Sequence, residues 1–328
     1  MVSRNVITRF IKSSAALIST SLLFFSMILV GSSVLAQEPG QKTFATPKDA
    51  GNALNEAVKS GDKIAELAVL GASAADVITS GDPVRDKDNA DIFLKRFAQM
   101  NRWSRESNGS EALYIGADNW PFPIALKKTS AGQWYFDTKD GVQEILYRRI
   151  GKNELSTIEV CNAMVDGQLD YFKELHDGST VHQYAQKFIS EEGKQNGLYW
   201  KVDEGQPESP IGPLVAHANA QGYGKSGAPE PFHGYYYRIL TAQGANAPGG
   251  AKSYLVDGNM TGGFAFIAYP AEYRNSGVMT FVVDANGIVY QKDLGPKTVD
   301  IAKGMTSYNP DKTWMTTGEP PVADADTN

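Results

Sequence analysis

The side chains with the widest chemical reach stand together in Tyr235-Tyr236-Tyr237-Arg238. In an extended backbone Tyr235 and Tyr237 share one face and Tyr236 and Arg238 the other. Rings beside a guanidinium are suited to stacking on a sugar or a peptide. The same alternation also serves packing, with one face against a helix and the other against loop 241–250. Trp120, in Trp120-Pro121-Phe122-Pro123, is a second aromatic binding candidate. It belongs either to a peptide-binding edge or to the proline-marked entry of an edge strand.

Other reactive types are dispersed. His176, His182, His217 and His233, with Asp170, Glu174 and Asp177, are the available metal-ligand types. Six residues separate His176 from His182, which puts them on different faces of a continuous helix, so the spacing does not converge on zinc. Asp82, Asp86, Asp88 and Asp91 surround Arg85 and Lys87 without the central Gly and terminal Glu of a calcium loop. Solvated charge is the expectation there. Gly222-Tyr223-Gly224-Lys225-Ser226-Gly227 contains GKS, but Asn219 stands where a phosphate loop needs Gly and no strand precedes it. It reads as a linker. The single Cys161 excludes an internal disulfide and, within STIEVCNAMV, reads as a buried structural thiol. There is no HExxH and no GxSxG. The expectation is a non-enzymatic chain with no metal and no cofactor. The alternative is a hydrolase of envelope polysaccharide or peptidoglycan, with a general-acid pair drawn from Glu111, Asp118, Asp137, Glu144, Asp166, Asp170 and Glu174.

Positioning these groups requires an α+β fold. Thr46-Pro47-Lys48-Asp49 is a helix start, and Ala50, Ala53, Leu54 and Ala57 follow at helical spacing to Gly61. A second helix covers 63–70, and Phe93, Phe97 and Met100 line one face of a later one. Past Asn108-Gly109 the period shortens, predicting strands over 111–118, 122–128 and 133–137. Residues 44–150 thus read as an N-terminal domain of helices with a small antiparallel sheet, closing after a helix over 138–150.

Residues 151–295 read as a second domain. Leu155, Ile158, Val160, Met164, Val165, Leu169 and Phe172 predict a long helix, and 181–190 and 213–220 shorter ones. That long helix is expected to pack on a four-stranded antiparallel meander built from 235–240, 253–256, 263–269 and a hairpin over 277–292. Asn286-Gly287 predicts a type I′ turn that pairs Val283 with Tyr290 and puts Phe281, Val283, Ile288 and Tyr290 on the buried face. Asp284 then faces away from the helix. Residues 296–328 read as a surface extension with an acidic tail.

The N-terminus predicts location. Arg4, Arg9 and Lys12 precede an uncharged run from Ala15 to Leu35 that closes on Val34-Leu35-Ala36. This is the pattern of a cleaved signal peptide over 1–36 and predicts a periplasmic or secreted protein. An uncleaved anchor is the alternative. Loss of 1–36 removes three cations and no acid, so the remainder would carry −9, three below the −6 of the whole chain. That charge speaks against nucleic acid or anionic lipid as a partner. The expected partners are another envelope protein, a peptide or a glycan, with no lasting membrane insertion.

FHGYYYRILTAQG, GGAKSYLVDGNMTGGFAFIAYPAEYRNSGVMTFVVDANGIVYQKDLG and the upstream words WPFPIAL, WYFDTKDG, EILYRRIGKNELSTIEVC and GLYW carry a resemblance. Together they resemble an exported bacterial family filed as domain of unknown function 2950, over nearly all of Phe44 to Gly295. The resemblance implies export and implies no activity. NELSTIEVCNAMVDGQLDYF followed by the strand words also resembles the globular part of pilin-like proteins, although no prepilin signal precedes Asn153. The first half suggests a cone of helices on a curved sheet, a form reused for ligand pockets.

Overall fold

A computed structural model describes residues 37–203, 206, 208–224 and 229–317. The expected signal segment, the Lys225–Gly227 part of the GKS stretch and the end of the acidic tail lie outside them. The described residues belong to one compact unit.

Helix α1 (Pro47–Ser60) begins where the Thr46 hydroxyl accepts the Asp49 N–H at 3.1 Å, and stops at Gly61, whose φ is 65°. Helix α2 (Lys63–Leu70) is capped by Asp62. After a 3₁₀ turn come α3 (Ala75–Ile78) and α4 (Pro83–Gln99), the latter capped by Asp82. Next are β1 (Asn101–Arg105), β2 (Glu111–Ile115), β3 (Trp120–Pro121), β4 (Leu126–Lys128) and β5 (Trp134–Phe136). They form an antiparallel sheet in the order β1-β2-β4-β5, with β3 at the edge of β2. Leu54, Leu70, Ile124, Leu126 and Phe136 seal the core between this sheet and α1–α2.

Helix α5 (Thr138–Lys173) then runs unbroken for 36 residues. The helix end expected at Ile150 is absent. Gly151 costs a helix interior about 1 kcal/mol, and burial of α5 on both sides of it outweighs that. Two other glycines are there for close approach: a Cβ on Gly141 would stand 2.7 Å from Ile124 Cγ1, and one on Gly167 2.6 Å from Ile211 Cγ2. The buried stripe beyond Gly151 is also turned from the expected one. Val160, Cys161, Met164, Val165, Gln168 and Tyr171 are buried, while Leu155 and Leu169 are 67% and 39% exposed.

No helix forms over 181–190. That segment is extended, and its Tyr184 N–H donates to Met260 O at 2.8 Å. Helix α6 (Gly212–Gln221) leads to β6 (Tyr235–Leu240). Residues 253–256 do not join the main sheet. They complete two ribbons, β7 (Ala242–Gln243) with β8 (Lys252–Ser253), and β9 (Leu255–Val256) with β10 (Asn259–Met260). Then follow β11 (Ala265–Pro270), β12 (Met279–Asp284), β13 (Tyr290–Asp293), α7 (Thr298–Gly304) and β14 (Met315–Thr316). The main sheet is antiparallel and five-stranded, in the order β14-β13-β12-β11-β6. The class is α+β, with a long helix over an antiparallel sheet.

The hairpin register differs from expectation by one residue, since Val282 pairs with Tyr290. The Asp284 carboxylate explains the shift. It accepts the Asn286 N–H and the Asn286 side-chain amide, each at 3.0 Å, while Gly287 N–H donates to Asp284 O at 3.0 Å. This Asx-type turn needs positive φ only at Gly287, not the two positive φ angles of a type I′ turn. In consequence Asp284 is buried, Ile288 is 47% exposed and Val289 is buried in its place. Tyr290 lies on the opposite face from Phe281, its ring 6.5 Å from Tyr308.

Candidate functional site

Strand alternation places the tyrosine run as expected, and each side chain is taken up by packing. The Tyr235 hydroxyl donates to Met279 O at 2.9 Å, and its ring lies 5.8 Å from Phe281. Tyr237 reaches α5, its hydroxyl 3.3 Å from Thr157 Oγ1. On the other face Tyr236 rests 5.8 Å from the Tyr269 ring, and the Arg238 guanidinium donates to Ala302 O and Met305 O at the end of α7. Arg238 thus neutralises helix-end carbonyls. Its neighbour is α7, not loop 241–250.

The other reactive types are likewise engaged. Cys161 is fully buried, which pushes its thiol up to about 12. His176 stacks on Tyr171 at 3.8 Å, with Nε2 2.9 Å from Tyr171 O. His182 Nδ1 lies 2.8 Å from Phe172 O, and His217 and His233 both contact Gln221. Among the described residues no group of three His, Cys, Asp or Glu could hold a metal. Of the carboxylates weighed as an acid pair, Asp118 pairs with Arg96, Asp137 with Lys127, Glu144 with Arg148 and Asp170 with Lys173.

The acidic cluster is less solvated than its composition predicts. Asp82 is 1% exposed. Besides capping α4 it accepts the Tyr223 hydroxyl at 2.7 Å and the Gly234 N–H at 3.0 Å. These bonds join the first half to the loop before β6. Burial nevertheless raises the Asp82 carboxyl above the usual range. It raises the Tyr223 hydroxyl too, helped by the carboxylate beside it. Burial and the Arg85 charge hold His233 down to about 4.

The cavity lies in the first half. It measures about 540 Å³ between α1, α2, α3, α4, the edge of the sheet and the first half of α5, within the size range of small-molecule sites. Leu54, Val58, Ile78, Phe93, Phe122 and Ile145 give it an apolar wall. Trp120, expected as a binding residue, also lines it, with the Arg96 guanidinium 5.5 Å from its ring centroid. Two helical stripes supply the polar part. On α4 these are Arg85, Asn89 and Arg96, at spacings of four and seven; on α5 they are Arg148, Arg149 and Lys152. Sequence reasoning passed over both. The α4 stripe was hidden among aspartates, and the α5 stripe straddles Gly151, where a break was expected.

Each charge in the lining has its own circumstances. Arg149 donates to the carbonyls of Asp76, Val77 and Thr79 and to the Asn275 side chain, so it fixes α3 and the β11–β12 loop, and burial lowers its pKa. Asn153 and Glu154 make the same junction. The Asn153 amide donates to Ser276 O at 2.9 Å, and Glu154 accepts the Val278 and Met279 N–H groups. Lys152 has no hydrogen-bond or ion-pair partner among the described residues, and burial followed by the Arg85 charge lowers its pKa. Two carboxylates complete the lining. Asp86 accepts the Ser80 hydroxyl at 2.6 Å and the Ser80 N–H at 3.1 Å. Glu66 is half-buried, and burial raises its pKa. The arrangement can bind an apolar body beside cations, with Glu66 as a carboxyl predisposed to keep a proton.

Among the described residues no helix is long and apolar enough to cross a membrane. Comparison with curated proteins and with solved structures returned no match. A family model described as "Protein of unknown function (DUF2950)" matches residues 41–317, which takes in both cores, the cavity and the seam between them; the chain belongs to that family.

Proposed function

We propose that this is an exported, non-enzymatic binding protein of the bacterial cell envelope, and that the cavity under α4 and α5 is where it binds. One observation carries the reading: a cavity of about 540 Å³ with an apolar wall and two cationic helical stripes, in a protein whose Tyr235–Arg238 run and Cys161 are taken up by packing. The sunken Tyr235–Arg238 face argues for a small molecule over a peptide or glycan lying across the sheet. The long helix over an antiparallel sheet in the second half supports reading that half as a pilin-like scaffold without a filament role.

Native mass spectrometry of the chain recovered from its own envelope fraction tests the reading. A bound small molecule should be present and should be lost in Ala90→Trp, which fills the cavity from α4. No bound molecule, or the same added mass of bound molecule in Ala90→Trp, would overturn it. Intact mass also tests export: the first residue should be Gln37, within one or two. A membrane-sedimenting chain that keeps Phe24-Phe25 would make the protein anchored.

A second reading, hydrolysis of an envelope polysaccharide or peptidoglycan, is favoured by Glu66. Its raised carboxyl lines the same cavity as the Asp86 carboxyl, and two carboxyls in one cavity are what general acid–base chemistry uses. Incubation with peptidoglycan and polysaccharides should give no turnover. Turnover that vanishes in both Glu66→Gln and Asp86→Asn would replace the binding reading with the hydrolytic one.

A further inference from the structure

We infer that the cavity takes a single-chain anionic amphiphile, its hydrocarbon chain against Leu54, Val58, Phe93 and Ile145 and its carboxylate or phosphate between Arg85 and Lys152. This rests on the binding reading proposed above.

The charge arrangement selects the head group. The chain as a whole is acidic, at −6, yet five cations line this cavity against two carboxylates. Such local inversion draws anions into the cleft against the overall field. Three of the five are already engaged: Arg149 by carbonyls, Arg148 by Glu144 at 2.6 Å and Arg96 by Asp118 at 3.0 Å. Among the described residues Lys152 has no partner, and the one ion-pair contact of Arg85 is Asp88 at 3.5 Å, the weak limit of such a bond. These two line one space from different helices, and the Arg85 charge makes the Lys152 charge costlier. An anion between them relieves that repulsion and supplies the missing acceptors.

The wall selects the tail. Leu54, Leu70, Ile115 and Ile124 line it and are almost wholly buried, and aliphatic side chains carry no donor or acceptor. A nucleotide base or a sugar would lose its hydrogen bonds to water there without replacement, at a cost of about 1–3 kcal/mol per group. A small inorganic anion would leave the wall wet. A neutral lipid would leave Lys152 unpaired and Arg85 with its weak contact to Asp88. Only a chain with a charged head satisfies both parts.

The test uses the processed full-length protein and calorimetric titration with dodecanoate, dodecyl phosphate, dodecanol and inorganic phosphate, with Trp120 fluorescence as a second signal. Dodecanoate or dodecyl phosphate should bind at least tenfold more tightly than dodecanol, and the stronger of the two identifies the head group. Inorganic phosphate alone should bind at least a hundredfold more weakly. Lys152→Ala and Arg85→Ala should each weaken the charged chain about tenfold and leave dodecanol unchanged, while Lys152→Arg should restore most of the loss. Unchanged melting temperatures would show that the variants fold.

Dodecanol binding as tightly as the charged chains would overturn the anionic head and leave the cavity as a binding site. If no chain binds while a different small molecule is retained in native mass spectrometry and lost in Ala90→Trp, the amphiphile falls and the binding reading stands. If no chain binds and nothing is retained, both fall.

Discussion

The two cores of this molecule are built from similar residues and filled differently. In the second half Tyr235, Phe264, Phe266 and Phe281 lie almost wholly buried between α5 and the sheet, with the Tyr235 hydroxyl spent on Met279 O. In the first half Phe93 and Phe122, 5.7 Å apart, stand only partly buried beside a cavity. The richer aromatic cluster is therefore the structural one. The space able to receive a ligand occurs where the helices are held apart, and Arg149 helps to hold them by binding the carbonyls of α3 from α5.

The largest effects should come from emptying each core. Phe281→Ala should destabilise the protein by about 3–5 kcal/mol in equilibrium urea unfolding. Phe93→Ala should cost less than half as much, because its ring already borders open space and leaves less new cavity behind. Equal losses would mean that the first core is as tightly filled as the second, and the contrast would fail.

At the seam, acid should act through His233. Its folded pKa of about 4 lies below the ordinary 6.5, so the unfolded chain takes up a proton before the native one does. The histidine's contribution is therefore complete above 6.5 and declines as the pH falls from 6.5 towards 4, by a total on the order of 2 kcal/mol once solvent screening of the partly exposed ring is allowed for. His233→Asn, which tolerates the backbone φ of 53°, should flatten that decline. Asp82, with a raised carboxyl, acts in the opposite direction above 3.8, and it is present in both proteins being compared. Urea midpoints between pH 7 and pH 4 measure the difference. Parallel curves would place His233 in contact with water.

The smallest effect concerns the hairpin. Ile288→Ser should change stability by less than about 0.5 kcal/mol, as at other open surface sites, while Val289→Ala should cost roughly 1–3 kcal/mol. The reverse order would restore the register read from the Asn286-Gly287 pair.

These contrasts also mark what the sequence makes legible. The strand words of 235–240, 263–269 and 277–292 locate the main sheet, because alternation and turn residues are local signals. Their register is less accessible. Asn286-Gly287 names a turn, but the Asp284 carboxylate chooses a different one by bonding Asn286 twice, and that preference is worth enough to move Ile288 out and Val289 in. The cavity is harder still to read. Its wall residues have the spacing of an ordinary core, and only the distance between α1, α4 and α5 leaves it unfilled. The Arg148-Arg149 and Lys152 stripe was within reach, had Gly151 been read as interior to a helix.

The continuity of α5 fixes the angular phase of one half of the protein against the other. At roughly 1.5 Å per residue, its 36 residues make a rod about 54 Å long. Gly141 and Ile145 are oriented by the first core, and Val160, Cys161 and Met164 by the second. One residue inserted between Lys152 and Asn153 would rotate everything beyond it by about 100°. Neither core could then keep its stripe without breaking the helix, however mild the inserted side chain. An insertion of seven residues, close to two full turns, would come within about 20° of the original phase. Lineages that vary this chain in length are thus free to do so in loops but are confined to near-integral turns along α5, a constraint set by rotation and not by composition.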